Sequence, residues 1–127
     1  MVEYLIAFND EWVPEFTIDE LREKSRNLRP LIAEMQAEGV LIFTGGLDPD
    51  SPVFSVEPSG GAPLFTDGPF VETKEVIGGF AVVDVADEAA ARLWAGKIAL
   101  ACGWPQEVRR FHIRTHLDET GTAPASR

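Results

Sequence analysis

One cysteine, two histidines and no long apolar run narrow what this chain of 127 residues can be. The single thiol, Cys102, excludes an internal disulfide and a cysteine-rich metal site. It sits among Ala99, Leu100 and Ala101, a setting that favours a buried, inert thiol over a nucleophile. The histidines, His112 and His116, are four positions apart in a strand-like segment. That spacing joins side chains on a helix but separates them on a strand, so no metal site is expected. Bases are scarce too: 11 Lys and Arg stand against 21 Asp and Glu, a formal net charge of −10. Phosphate backbones repel such a chain, and nucleic acid is not an expected partner. No apolar run approaches the roughly 20 residues a bilayer span requires, so no membrane partner is expected either. Met1-Val2-Glu3-Tyr4 enters a strand-like pattern directly, without a basic region or a leader-type apolar segment, which predicts a soluble, cytoplasmic protein. Gly45-Gly46 and Gly60-Gly61 lack the flanking residues of a phosphate-binding loop, and no serine elbow is present. Nucleotide binding and serine hydrolysis are therefore disfavoured, and no cofactor is implied.

What is present fits one domain with a real core, at 45% hydrophobic residues. Val2, Tyr4, Ile6 and Phe8 alternate with Glu3, Leu5 and Ala7, the period of a strand. Thr17 and Glu20 have capping-box spacing, and Phe16 and Leu21 have staple spacing, so a helix starts there. Leu21, Leu28, Ile32 and Met35 recur at helical spacing with Ser25 on the same stripe. Pro30 predicts a kink or a split, and Gly39 a C-terminal cap. Val40 to Thr44 reads as a short strand, and Gly45 to Pro52 as a turn-rich loop. Val53 to Val56 and Pro63 to Thr66 read as a hairpin. Val76 to Val85 is the longest strand and, being apolar on both faces, the central one. Gly78 and Gly79 weaken such a strand unless another group approaches closely. Asp87 caps a second helix with Ala91, Trp94, Ile98 and Ala101 on one stripe, closed by Gly103 and Pro105. Glu107 to Thr115 is the last strand, and the tail from Leu117 to Arg127 is polar.

The order β-α-β, hairpin, β-α-β predicts an α+β domain over residues 1–116: a ferredoxin-like split βαβ antiparallel sheet with both helices on one face and an inserted hairpin. Tyr4, Phe43, Phe80 and Phe111 indicate that the other face is not simply solvated, and a second copy packed there would make a homodimer with a cavity between sheets.

Two stretches carry candidate chemistry. The first is Thr66 to Phe80, with Asp67-Gly68-Pro69 as a turn and Glu72, Thr73, Lys74 and Glu75 beside it. Either these charges form a solvated loop, or Asp67 and a glutamate face a pocket in which Lys74 holds a carboxylate ionised or an anionic ligand in place. The second is the alternation of Arg110, His112 and Arg114 on one face of the last strand. That face either attracts a small anionic molecule or defends a solvent-facing edge with charge.

The run Thr66-Asp67-Gly68-Pro69-Phe70-Val71-Glu72-Thr73-Lys74-Glu75, followed by Gly78-Gly79-Phe80, resembles the signature of the DGPF group within the YCII-related protein family. The opening strand, the Gly45-Gly46-Leu47 turn, the hairpin and the helix with Trp94 fall in the matching order, so the resemblance covers nearly all of the chain except the tail. It implies a ferredoxin-like dimeric α+β barrel. It also implies Asp67, Pro69, Phe70, Thr73, Lys74 and Glu75 as a site or its frame; within the stretch, Asp67, Lys74 and Glu75 are the catalytic candidates by their charge, and Pro69, Phe70, Glu72 and Thr73 the ligand-binding ones. Some members accompany extracytoplasmic-function sigma factors. Better-known relatives carry a histidine on the first helix and an aspartate near the second strand. This chain has no histidine on that helix, where Ser25 stands instead, and Asp48 and Asp50 lack that partner, so the pair is not carried over. Two function classes follow: a cofactor-free acid–base enzyme acting on a small molecule, or a non-catalytic ligand-binding or regulatory module.

Overall fold

A computed structural model describes residues 1–9, 11, 16–70 and 77–113. Its elements are β1 (Val2–Asn9), α1 (Ile18–Ala37), β2 (Leu41–Gly46), β3 (Phe54–Ser59), β4 (Ala62–Asp67), β5 (Ile77–Val85), α2 (Glu88–Cys102) and β6 (Glu107–Arg110). The fold is mixed α+β, with two helices and antiparallel sheets. Four strands join in the order β2-β5-β1-β6, and β3 pairs only with β4. Every neighbouring pair in the four-stranded sheet is antiparallel. The strand order and pairing agree with a split βαβ arrangement.

Both helices begin on side-chain caps. The Thr17 hydroxyl accepts from the Glu20 N–H at 3.2 Å while the Glu20 carboxylate accepts from the Thr17 N–H at 3.2 Å. Asp87 accepts from the Ala90 N–H at 2.9 Å. Each cap satisfies donors that a first helical turn leaves unpaired, and its loss typically costs about 1 kcal/mol. Both helices end in left-handed glycines. At Gly39 (φ 71°) the Val40 N–H reaches the Met35 carbonyl at 3.0 Å and the Gly39 N–H reaches Gln36 at 3.1 Å. This is a Schellman closure. At Gly103 (φ 80°) the N–H reaches Ala99 at 2.8 Å.

One expectation for α1 is narrowed and two need correction. The helix runs unbroken through Pro30 rather than splitting. Pro30 is exposed, so water can satisfy the carbonyl that its ring leaves unbonded. Leu21 and Ser25 are exposed, and Ser25 is not core-facing. Contact with the core begins one turn later, through half-buried Leu28 and buried Leu31 and Met35.

The core lies on one face of the sheet. Tyr4 and Ile6 from β1 and Val83 and Val85 from β5 meet Leu31 and Met35 from α1 and Ala91, Trp94 and Ala95 from α2. Each fully buried aliphatic side chain here contributes about 1.5–3 kcal/mol by leaving water. Across the helix pair, Lys97 donates to Glu34 at 2.8 Å and sits over the Trp94 ring at 4.6 Å. Tyr4 belongs to this covered core rather than to the opposite face, because it alternates with Leu5. The opposite face carries Leu5, Phe43, Phe80 and Val82 by register, with the Phe43 and Phe80 rings 5.9 Å apart. None of the described helices covers it.

The strand boundaries also moved. Gly45 and Gly46, expected in a loop, complete β2 opposite Phe80 and Gly79. The last strand ends at Arg110, although the Phe111 N–H still donates to Glu3 at 2.9 Å. The expected continuation is therefore corrected for Phe111 to Ile113, which are described and are not strand, while Arg114, Thr115 and the tail from 117 to 127 lie outside the described residues. In the hairpin, Gly60 (φ 60°) and Gly61 (φ 85°) form the two-residue turn between Ser59 and Ala62. Two successive left-handed residues match the twist of the flanking strands.

Met35 is 1% exposed and Leu100 87% exposed. Met35→Ala is expected to cost about 2–5 kcal/mol in chemical denaturation. Leu100→Ala should stay within about 0.5 kcal/mol of the parent. Equal losses would contradict this placement of the core.

Candidate functional site

The glycines of β2 and β5 leave no room for a side chain at Gly79, where atoms of β1 and β2 approach closely. A Cβ at Gly79 would lie 2.9 Å from the Phe8 ring, 3.0 Å from the Gly45 carbonyl oxygen and 3.1 Å from the Gly46 Cα. The approach expected at Gly78-Gly79 is therefore a three-strand contact in which Phe8 crosses directly over Gly79. Phe8 is held from the other side by Trp104, at 4.9 Å between ring centroids. Trp104 reaches it because the left-handed Gly103 turns the chain back after α2. Phe16, just before α1, adds a third ring 5.8 Å from Trp104.

Beside this aromatic stack a cavity of about 360 Å³ lies between the helices and the sheet. Leu28, Leu31, Ile32 and Met35 of α1 and Ile98 and Cys102 of α2 form its helical wall. Leu41, Thr44, Gly45 and Gly46 of β2 and Phe80 and Ala81 of β5 form its sheet wall, and Phe8, Trp104 and Gln106 complete it. Its lining is mostly apolar and, among the described residues and apart from the Cys102 thiol, holds no ionisable side chain.

Its polar groups are few and mostly committed. The Thr44 hydroxyl donates to the Phe80 carbonyl at 3.2 Å. The Gln106 amide nitrogen donates to the Trp104 carbonyl at 3.2 Å and to the Cys102 sulfur at 3.4 Å. Cys102 is buried and contacts the Ala99 and Trp104 carbonyls at 3.9 Å, so it behaves as a packed thiol. The Trp104 Nε1–H is buried without an acceptor among the described residues, a state that costs about 1–3 kcal/mol. No group of metal-ligating side chains occurs among the described residues.

The residues singled out in the sequence lie elsewhere. Asp67 ends β4 opposite Phe54, and Pro69 and Phe70 follow it, all three exposed. Between them and β3, the Gly68 N–H donates to the Val53 carbonyl at 2.7 Å and the buried Ser55 hydroxyl donates to the Gly68 carbonyl at 2.6 Å. With φ at 87°, Gly68 is a required turn residue that closes the hairpin. Glu72, Thr73, Lys74, Glu75 and Arg114 lie outside the described residues.

Arg110 is exposed on the edge strand opposite Tyr4, so its register face is the helix side. His112 lines a shallow cleft with Glu3, Asp84 and Phe111. On the other sheet face, Arg109 pairs with Glu107 at 3.0 Å beside a small hollow lined also by Leu5, Ala7, Asn9 and Ile77. The candidates thus divide between the hairpin end and the edge strand, and none of those described lines the helix–sheet cavity.

Asp48 has a structural task. Its carboxylate accepts from the Ser51 hydroxyl at 2.7 Å and from the Asp50 N–H at 2.9 Å, which closes the loop after β2. These bonds, the Ser51 hydroxyl foremost, hold its carboxyl below the ordinary aspartate value.

A family model for the YCII-related domain matches residues 4–103. The chain belongs to the YCII-related domain family. The match spans β1 to the end of α2 and includes most of the cavity lining. Trp104 and Gln106, which finish the cavity of this YCII-related domain, fall just beyond it. No curated protein matches the chain. The cavity was not visible in the sequence because its lining comes from six separated places. The only local signals were Gly46 and the Gly78-Gly79 pair.

Two measurements check this geometry. Gly79→Ala should lower stability by about 1–3 kcal/mol, the usual cost of overpacking, because two of the crowding atoms are backbone. An NMR titration should place the Asp48 midpoint below that of an ordinary aspartate, with Ser51→Ala moving it upward. Since the folded value is the lower one, the stabilisation is present at neutral pH and is lost as pH falls through the folded midpoint.

Proposed function

We propose that this YCII-related domain is a homodimeric small-molecule-binding module whose ligand enters the cavity between its helices and sheet. The 360 Å³ volume behind β2 is the observation that carries this reading. A space of that size with a mostly apolar lining and a few polar groups has the character of a ligand site. Belonging to the DGPF group of the family, and adopting the ferredoxin-like dimeric barrel expected of it, are parts of the same proposal.

The exposed sheet face supports the dimer. Phe43 is 57% exposed while stacking on Phe80, and Phe111, 43% exposed, follows the edge strand. An apolar face of this kind is stabilised by a second copy of the same surface, related by twofold symmetry.

The geometry favours binding over acid–base catalysis. A proton-transfer group must come within hydrogen-bond reach of its substrate. Among the described residues the cavity walls hold no carboxylate, lysine or histidine, and Asp67 stands at the exposed end of the hairpin. A regulatory role, including one beside an extracytoplasmic-function sigma factor, accords with a binding module. In this reading Asp67, Pro69 and Phe70 frame the hairpin end.

Fragment screening by NMR tests the site. Binders should shift the resonances of Thr44, Ala81, Ile98 and Gln106. Shifts confined to Asp67–Phe70 or to Arg110 and His112, or no binders at all, would overturn the assignment. For the dimer, small-angle scattering should give twice the mass of the chain, and Phe43→Glu should halve it. A monomeric parent protein would remove the dimer from the proposal.

A further inference from the structure

The chemistry of the cavity walls narrows what can bind, given the reading that the cavity is a binding site. We infer that its ligand is an uncharged molecule of one or two rings carrying a hydroxyl or N–H donor, admitted past Gly46. Three observations lead there.

The first is charge. Among the described residues no lining side chain can pair with an ion, since the thiol of Cys102 is packed among carbonyls and the Gln106 amide. A carboxylate or ammonium entering such a space loses its water and gains no counter-charge, which is strongly unfavourable. The anionic ligand expected from the basic residues therefore does not suit this cavity.

The second is the direction of the hydrogen bonds. The Thr44 hydrogen is spent on the Phe80 carbonyl, which leaves the hydroxyl oxygen as an acceptor. The Gln106 amide nitrogen is spent on the Trp104 carbonyl and the Cys102 sulfur, which leaves its amide oxygen as an acceptor. The Trp104 N–H is itself sealed by packing. The accessible side-chain polarity is thus acceptor in character, and a matching ligand brings a donor. Volume sets the size: a dry apolar cavity of about 150 Å³ accommodates benzene, so 360 Å³ has room for two fused rings.

The third is Gly46. By register it shares the helix side of β2 with Thr44, because Gly46 pairs with Gly79 and Thr44 with Ala81. It lines the cavity yet is exposed, so it stands at the opening. A Cβ there would meet only the Gly78 carbonyl oxygen, at 4.0 Å. Gly79 beside it has no such room. Gly46 thus tolerates a side chain sterically, and its lack of one keeps the passage clear.

Three isosteric probes test this by calorimetry and tryptophan fluorescence near neutral pH: 2-naphthol, naphthalene and 2-naphthoate. The parent protein should bind 2-naphthol most tightly. The anion should bind at least about tenfold more weakly, because its charge is desolvated without a partner. Naphthalene should bind roughly fivefold more weakly for want of one hydrogen bond, and Thr44→Val should narrow that gap. Gly46→Val should weaken binding of both neutral probes while the circular dichroism spectrum is retained, and Gly46→Ala should do so to a smaller degree. If 2-naphthoate binds as well as 2-naphthol, the ligand class is wrong although the cavity remains a binding site. If either folded Gly46 variant binds the neutral probes more tightly than the parent, or if both bind them equally well, Gly46 is not the passage. If none of the three probes binds, while fragments of other kinds shift Thr44 and Gln106, the inference fails and the site stands. If nothing reaches those residues, both fail.

Discussion

The antiparallel pairing of β1 with β5 is the constraint on which the rest of the molecule depends. It runs from Val2 opposite Val85 to Phe8 opposite Gly79 and places both strands at the middle of the sheet. Strict alternation then sends Tyr4, Ile6, Val83 and Val85 to one face. Both helices must cover that face, because each has only one apolar stripe to bury. A slip of one residue would turn the whole set towards the opposite side. The consequence is an asymmetric molecule, with one sheet face packed under helices and the other presenting Leu5, Phe43, Phe80 and Val82.

At the Gly79 end of the same pairing, close packing and open space occur side by side. Phe8 lies over Gly79 and is braced by Trp104, which in turn meets Phe16, so the aromatic rings fill the region where the strands converge. One strand over, Gly46 contributes no side chain, and the helices stand off the sheet around a cavity. Close packing elsewhere in proteins leaves few voids larger than a water molecule. A cavity of this size therefore reflects the particular residues around it, two of them glycines. Its electrical character follows from the same residues: among the described residues, none that lines it carries a formal charge.

Much of the fold was legible because its signals are local. The capping box at Thr17 and Glu20, the Asp87 cap, and the left-handed closures at Gly39 and Gly103 each depend on a few neighbouring residues. The hairpin around Gly60-Gly61 depends on turn chemistry alone. Errors arose where a decision involved distant partners. Ser25 sits at helical spacing with Leu28 and Ile32 but faces water, because contact with the core starts only where the helix meets the sheet. Gly45-Gly46 reads as a turn by composition and is a strand by pairing, since β5 supplies its hydrogen bonds. The candidate site was least legible. The charged residues that drew attention, Asp67, Arg110 and His112, lie on the hairpin and the edge, whereas Thr44, Gln106 and Trp104 have nothing unusual about them in one dimension.

By itself the sequence determined the order of elements, their caps and turns, the mixed α+β class and membership of the YCII-related family, because each rests on short-range chemistry or on a contiguous pattern. Only the tertiary structure decided which glycine is crowded and which is open, where the polar groups of the cavity send their hydrogen bonds, and which sheet face is left for a partner. Those outcomes depend on distances between residues far apart in the chain, and the same glycine that would read as a turn on paper becomes, once β5 lies beside it, one wall of a cavity.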